Sequence, residues 1–121
     1  MNEFKLIIAG GRDFTDALRL EEELLYLANG ELEHYAVSII TGMARGADKL
    51  AYEFAVRNNV VYYPFPADWD RYGKSAGYRR NEEMANAAHG LLAFWDGKSR
   101  GTSHMIDTMS EMNKPVHIIR Y

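Results

Sequence analysis

Short runs of apolar residues alternate with longer segments that have a helical pattern along the whole chain. Runs rich in aliphatic and aromatic side chains, bounded by polar residues, predict β-strands. These predicted strands are Phe4 to Ala9, Ala36 to Ile40, Val60 to Phe65, Leu91 to Trp95 and Val116 to Ile119. The chain is therefore expected to contain five strands with helices between them.

Apolar residues three or four positions apart mark the segments between the strands as amphipathic helices. The stripes are Leu20, Leu24 and Leu27; Leu50 and Phe54 with Ala51 and Ala55; Met84 and Ala88 in a weaker helix from Arg79 to Ala88; and Met105, Met109 and Met112. We interpret the methionine stripe as core rather than as a binding face.

The predicted strands are apolar at consecutive positions, which indicates a parallel sheet covered by helices on both faces. We therefore predict an α/β fold, a single Rossmann-like three-layer sandwich in residues 1–121, with strand order 3-2-1-4-5. In that order the first and fourth strands are neighbours. The segments "GGRDF" and "WDGKSRGTS", which follow them, should face each other where such sheets bind ligands.

Composition adds few constraints to this prediction. A length of 121 residues suits one domain, and the apolar fraction of 47% is ordinary for a soluble protein. The net charge of −3 argues against a nucleic-acid partner, and the absence of cysteine excludes disulfides and thiolate chemistry. No apolar run approaches the roughly 20 residues of a membrane span, so we expect a cytoplasmic protein with no membrane partner.

Three loops, each leading from a predicted strand into a predicted helix, contain glycine: Gly10 to Phe14, Thr41 to Asp48 and Asp96 to Ser103. Helix N-termini carry unpaired N–H groups and a partial positive charge, and glycine lets an anion approach the backbone. Arg45 adds a possible charged partner. The loops therefore predict a site for a phosphate or similar anion.

A purely structural interpretation of these loops remains open. Neither a Walker-type run nor G-x-G-x-x-G is present, so no standard nucleotide fingerprint applies. The glycines could serve only the turns, Asp48 could complement a helix dipole, and Thr102 or Ser103 could be an N-cap. Trp69 and Tyr72 fall in a predicted loop, where they could stack on a base or form a subunit contact.

Four motifs in order resemble the SLOG superfamily of Rossmann-like domains, and most of all its small YspA-type members. They are "IAGGRDF", "TGMARGAD" followed by "AYEFA", "GYRRNEEM" and "GKSRGTSHMID". This resemblance implies a site for nucleotides or nucleotide-derived ligands. It assigns to that site Gly10, Gly11 and Arg12 in the first loop, Gly42, Arg45, Gly46 and Asp48 in the second, and Gly101, Thr102 and Ser103 in the third.

Two related families suggest alternatives. The segment "TGMARGAD" is similar to S-G-x-A-x-G-I-D of DNA-processing protein A, a single-strand DNA binder. LOG phosphoribohydrolases pair an arginine in an R-K-x-x-M-type segment with a glutamate in P-G-G-x-G-T-x-x-E. Arg80 with Met84 keeps the arginine spacing, but Met105 stands where the glutamate should be. Substitute carboxyl groups for that chemistry are Asp13, Asp96, Glu83 and Asp107.

The expected function is accordingly the binding of a nucleotide or nucleotide-derived ligand by a sensor or sequestering module. Hydrolysis of a nucleotide N-glycosidic bond, with Arg80 as a catalytic residue, is the first alternative, and single-stranded nucleic-acid binding is the second. We expect no metal and no further cofactor, and a homodimer is possible. The predicted ligand contacts are Gly10, Gly11, Arg12, Asp13, Phe14, Gly42, Arg45, Gly46, Asp48, Arg80, Asn81, Asp96, Gly101, Thr102 and Ser103.

Overall fold

The computed structural model describes every residue from Met1 to Tyr121 as one five-stranded sheet with helices on its two faces. The elements, in chain order, are β1 (Asn2–Gly10), α1 (Ala17–Asn29), β2 (Tyr35–Thr41), α2 (Ala47–Arg57), β3 (Tyr62–Pro64), α3 (Trp69–Tyr72), a 3-10 turn (Gly73–Ser75), α4 (Ala76–Ala87), β4 (Gly90–Trp95), α5 (Arg100–Glu111) and β5 (Val116–Arg120).

The strands are all parallel and run in the order β3-β2-β1-β4-β5, which confirms the predicted α/β Rossmann-like fold. The centre of the sheet is β1, where Ile7 pairs with Ile40 of β2 on one side and with Leu91 of β4 on the other. The direction of winding therefore reverses between β1 and β4, and the crevice between their carboxyl ends is where such sheets bind ligands.

Two apolar cores, one on each face of the sheet, explain why the strands are apolar at consecutive positions. Along β1, Leu6 and Ile8 enter one core, and Ile7 and Ala9 enter the other. Successive side chains of a strand point to opposite faces, so a strand covered on both sides needs apolar residues throughout. Helices α1 and α2 cover the first core, and α4 and α5 cover the second.

The predicted helical stripes lie against these cores. All three leucines of the α1 stripe are buried. In α5, Met105 and Met109 are buried, whereas Met112 follows the end of the helix and is 36% exposed. The methionine stripe is thus mainly core, as interpreted from the sequence.

Two local predictions were wrong. The third strand is shorter than predicted, because β3 at the edge of the sheet covers only Tyr62–Pro64 and not residues 60–65. Trp69 and Tyr72 lie in the short helix α3 rather than in a loop. Asp68 begins this helix, and its side chain accepts a hydrogen bond from the Arg71 N–H at 3.1 Å.

The helices are too short and too polar for any of them to cross a lipid bilayer.

Candidate ligand cavity

A cavity of about 520 Å³ opens at the carboxyl end of the sheet, where the loops after β1, β2 and β4 meet α4. Eleven of the fifteen predicted ligand contacts line it. They are Gly10, Gly11, Arg12, Asp13, Arg45, Asp48, Arg80, Asn81, Asp96, Gly101 and Thr102. The fold therefore brings the three glycine-bearing loops together as the sequence indicated.

The other four predicted contacts lie elsewhere. Phe14 is buried in the first core and stacks on Phe94, with ring centroids 4.7 Å apart. Gly42 and Ser103 line two neighbouring depressions. Gly46 lies where the second loop packs against the first. Packing across the sheet, which a local motif does not encode, accounts for these differences.

Gly46 serves the contact between two loops. Its φ is +90°, and a Cβ at this position would collide with the carbonyl oxygen of Gly11. That same oxygen accepts a hydrogen bond from the N–H of Ala47, the first residue of α2, at 3.3 Å. Only glycine suits both this backbone conformation and this close approach. In the structure, Gly46 therefore fits the structural interpretation of the loop.

Asp48 is a buried carboxyl group in the first turn of α2. The residue is only 4% exposed, and the backbone amides of Ala44 and Gly10 act on its carboxyl group. Burial raises the pKa of Asp48 to about 6, although Arg80 and these backbone donors act in the opposite direction. A carboxyl group of the protein therefore lies in the loop where the sequence suggested a bound phosphate.

Arg80 reaches the same part of the cavity from α4. Its Nη1 donates to the carbonyl oxygen of Gly42 at 2.5 Å, and its Nε donates to the Asn81 side chain at 3.0 Å. A Cβ on Gly42 would collide with this guanidinium and would lie 2.7 Å from Oδ2 of Asp48. Partial burial lowers the pKa of Arg80, and the nearby Asp48 opposes that change. Gly42 thus gives both side chains room to face the cavity.

The first turn of α5 lies on the opposite side of the cavity, beside the end of β4. Ser99 precedes this helix and forms no side-chain cap. Because the helix begins before Thr102 and Ser103, the interpretation of either residue as its N-cap was wrong. Gly101 lines the cavity, and a Cβ there would meet no protein atom within 4 Å. As at the start of α2, no side chain forms a cap at the start of this helix.

Asp96 lies just before that turn. Its Oδ1 accepts hydrogen bonds from the backbone N–H groups of Lys98 and Ser99, each at 2.8 Å. These bonds, that of Ser99 first, lower the pKa of Asp96 below its ordinary value. Asp96 and Asp48 line the same cavity with pKa values moved in opposite directions.

Aromatic and cationic residues complete the wall between α3 and α4. Trp69 and Tyr78 both line the cavity, and Tyr78 stacks on His104 with ring centroids 4.2 Å apart. Gly77 lies beside Trp69, and a Cβ there would make an ordinary van der Waals contact with its ring at 3.4 Å. Lys74 adds a positive charge. The aromatic-rich segment was the sequence signal for this wall, whereas nothing in the local pattern indicated Lys74 or Gly77.

Two of the four carboxyl groups considered as substitutes for the absent glutamate line the cavity. Asp13 lines the cavity and accepts a hydrogen bond from the Tyr121 hydroxyl at 2.6 Å, and Asp96 lines it as well. Glu83 is exposed on α4 and Asp107 lines a neighbouring depression. No group of three His, Asp or Glu side chains is arranged to hold a metal ion.

Comparisons with known proteins agree with this architecture. The sequence profile of the YspA, cpYpsA-related SLOG family matches residues 4–72. The Gene 61 protein of Mycobacterium phage D29 is 35% identical over 120 residues, which cover 93% of each chain. The X-ray structure of DNA processing protein A from Streptococcus pneumoniae superposes with a TM-score of 0.75 at 17% identity and covers 99% of this chain. This chain spans 51% of that protein, and the likeness concerns the fold.

Proposed function

The chain belongs to the YspA, cpYpsA-related SLOG family, and we propose that its cavity binds a nucleotide or nucleotide-derived small molecule, as a sensor or sequestering module. The observation that carries this proposal is the first turn of α5. Its N–H groups have no side-chain cap, and Gly101 leaves open space beside them in the cavity. Such a helix start suits a phosphate group.

The charges of the cavity support an anionic ligand. Arg12, Arg45, Lys74 and Arg80 all line it, on a chain whose net charge is −3. Arginine side chains can form paired hydrogen bonds with phosphate oxygens, and a lysine supplies a mobile positive charge. Four of the fourteen Lys and Arg side chains of the chain are therefore available to an anionic group in the cavity.

The aromatic wall and the size of the cavity support a ligand with a flat ring. Trp69 is 49% exposed, so a large part of its surface is available for stacking on a base. A volume of about 520 Å³ lies within the roughly 300–1,000 Å³ typical of small-molecule sites. A base against this wall and a phosphate at α5 would together use both sides of the cavity.

Thermal denaturation and titration calorimetry with a defined panel test this proposal. The panel contains nucleoside mono-, di- and triphosphates, ADP-ribose and cyclic nucleotides, each measured against inorganic phosphate alone. A ligand present at 100 times its dissociation constant should raise the free energy of unfolding by about 2.7 kcal/mol. Absence of any thermal shift or heat signal across the panel would refute the proposal.

A further inference from the structure

A second depression, of about 580 Å³, lies beside the candidate ligand cavity. Four residues line it without lining the cavity, and they follow β2 and β3: Gly42, Met43, Pro66 and Ala67. The residues that it shares with the cavity are Arg12, Ala44, Arg45, Trp69 and Arg80. We call it the arginine depression, because three of its nine lining residues are arginines.

The guanidinium groups of this depression have few negative partners. No Asp or Glu lines the arginine depression, whereas three aspartates line the cavity. None of the three arginines takes part in a salt bridge. Arg45 donates to the carbonyl oxygen of Arg12, and Arg80 donates to that of Gly42. Their positive charges are therefore not neutralised by side chains of the depression itself.

Two of these arginines are close enough for one charge to act on the other. Burial lowers the pKa of Arg80, Asp48 opposes that change, and the like charge of Arg12 adds to it. Like charges held together away from bulk water repel each other, and an anion placed between them relieves this repulsion. The depression therefore suits an anionic group of a ligand.

Hydrogen bonds within the chain fix the walls of the depression. The Thr41 hydroxyl donates to the Asp48 carbonyl oxygen at 2.9 Å and accepts from the Met43 N–H at 3.2 Å. The Phe65 N–H donates to the Thr41 carbonyl oxygen at 2.8 Å, which joins the segment after β3 to the end of β2. A ligand would thus meet walls whose shape the fold has already set, which favours binding.

The start of α5, where the proposed function places a phosphate group, lies outside the depression. No residue of α5 and none of residues 96–99 before it lines the depression. Because β1 separates β2 from β4, the loop after β2 and the start of α5 lie about two strand spacings apart, roughly 10 Å. A phosphate group at α5 therefore leaves the depression to a second anionic group.

We propose that the arginine depression binds a second phosphate group of the same ligand, so that the ligand is a nucleoside phosphorylated on two sides, as in a nucleoside 3′,5′-bisphosphate. Trp69 lines both the cavity and the depression, so a base stacked on its ring would lie between the two phosphate groups. A terminal diphosphate fits less well, because its phosphate groups share one oxygen atom. The inference rests on the proposed function, which supplies the first phosphate site.

Titration calorimetry on the full chain tests the ligand class. For adenosine, guanosine, cytidine and uridine, it compares the 5′-monophosphate, the 5′-diphosphate and the 3′,5′-bisphosphate. With the base that binds most tightly, the bisphosphate should bind at least about tenfold more tightly than the monophosphate, the lower end of the range for one charged hydrogen bond. The diphosphate should gain less, because both of its phosphate groups lie at one end of the nucleoside.

A negative charge placed in the depression tests the location. Ala67 is half-buried between β3 and α3, belongs to neither apolar core and does not line the cavity. Ala67→Asp should therefore remove the gain of the bisphosphate by charge repulsion. It should change monophosphate affinity less than about threefold, because salt at about 0.15 M screens charges beyond about 8 Å. Ala67→Asn has the same shape without the charge and should keep the gain.

A second variant covers a failure of Ala67→Asp to fold, as judged by circular dichroism. Pro66 is exposed, lines the depression and does not line the cavity, so Pro66→Asp makes the same test.

The outcomes distinguish this inference from the proposed function. Equal affinity for the monophosphate and the bisphosphate would overturn the second phosphate site and leave nucleotide binding standing. A gain that persists in the folded Asp variants would overturn the location. Tighter binding of a single-stranded tetranucleotide than of the bisphosphate would overturn the assignment to a small ligand. Failure of every nucleotide to bind would overturn both proposals.

Discussion

At the scale of single residues, the second loop contains side chains with distinct tasks. Asp48 is buried in the first turn of α2, Gly46 permits two loops to touch, and Arg45 is exposed at the cavity. These differences make the three positions separable by mutation. They also show that a short motif of this kind can combine structural and ligand-binding positions.

Asp48 should make stability depend on pH. Its pKa in the folded protein is about 6, above the ordinary 3.8, so the folded state binds the proton more tightly than the unfolded chain. The stability that it contributes is therefore complete below about pH 4 and is lost as pH rises through about 6. Asp48→Asn cannot ionise, so its stability relative to the unchanged protein should improve by about 2 kcal/mol between pH 4 and pH 7.5.

Urea denaturation at both pH values measures this difference, with Glu83→Gln as the control because that side chain is exposed. If the difference in stability between Asp48→Asn and the unchanged protein stays constant with pH, the raised pKa of Asp48 is contradicted.

Arg45 should matter for the ligand and little for the fold. Its side chain is exposed, and its Nε makes one long hydrogen bond of 3.3 Å to the Arg12 carbonyl oxygen. If it binds a phosphate, Arg45→Ala should weaken nucleotide affinity by about 1.5 to 3 kcal/mol, the range for a charged hydrogen bond. Calorimetry gives the affinity and urea denaturation the stability. Unchanged affinity would remove Arg45 from the ligand contacts.

At the scale of elements, the starts of α2 and α5 differ although both contain glycine. At the start of α2, Gly46 packs against Gly11, and the N–H of Ala47 donates to the Gly11 carbonyl oxygen. The start of α5 has no side-chain cap and has open space at Gly101. A glycine-bearing helix start is thus available to a ligand only where the protein leaves its N–H groups free.

This contrast predicts opposite effects of alanine at the two glycines. Gly101→Ala should raise stability by up to about 1 kcal/mol, because alanine favours a helix and meets no protein atom. It should also weaken nucleotide binding at least tenfold, since the methyl group would occupy space at the cavity wall. Gly46→Ala should lower stability by at least about 1 kcal/mol, because φ is +90° and the methyl group meets backbone.

Thermal denaturation and calorimetry on both variants give these values. Ser110→Ala, an exposed change near the other end of α5, is the matched control for Gly101→Ala. Full binding by Gly101→Ala would exclude the start of α5 as the phosphate site.

At the scale of the whole molecule, charge separates a small ligand from a long polyanion. The positive residues that line the cavity share it with Asp13, Asp48 and Asp96, and the chain as a whole carries a net charge of −3. Single-strand binding needs a continuous basic track beside its stacking platforms. We therefore expect no retarded band in gel shifts with single-stranded DNA or RNA at low salt. A retarded band that disappears at higher salt would favour the nucleic-acid alternative.

The oligomeric state, for which the sequence suggested a possible homodimer, is a property of the whole molecule that can be measured directly. Large apolar side chains are exposed on α1, among them Leu18, Leu25 and Tyr26. Gel filtration with light scattering measures the mass directly, and a clean monomer at high concentration would contradict the prediction.

The sequence by itself determined the fold and the elements that form the cavity. Strands that are apolar at consecutive positions require cover on both faces, and with helices between them they specify a parallel sheet with a reversal of winding. The carboxyl ends of β1, β2 and β4 then have to meet at one edge. For this reason the sequence alone groups the loops that contain Gly10, Arg45, Asp96 and Gly101.

Only the tertiary structure decided what each residue of those loops does. Whether a glycine faces a ligand or another loop depends on contacts between distant segments, as between Gly46 and Gly11. The pKa of Asp48 depends on burial beneath residues of β1 and α4, and no local pattern records that burial. Trp69 also reaches the cavity only because α3 packs beside α4. Desolvation and packing are properties of the assembled fold, so these assignments followed from the structure.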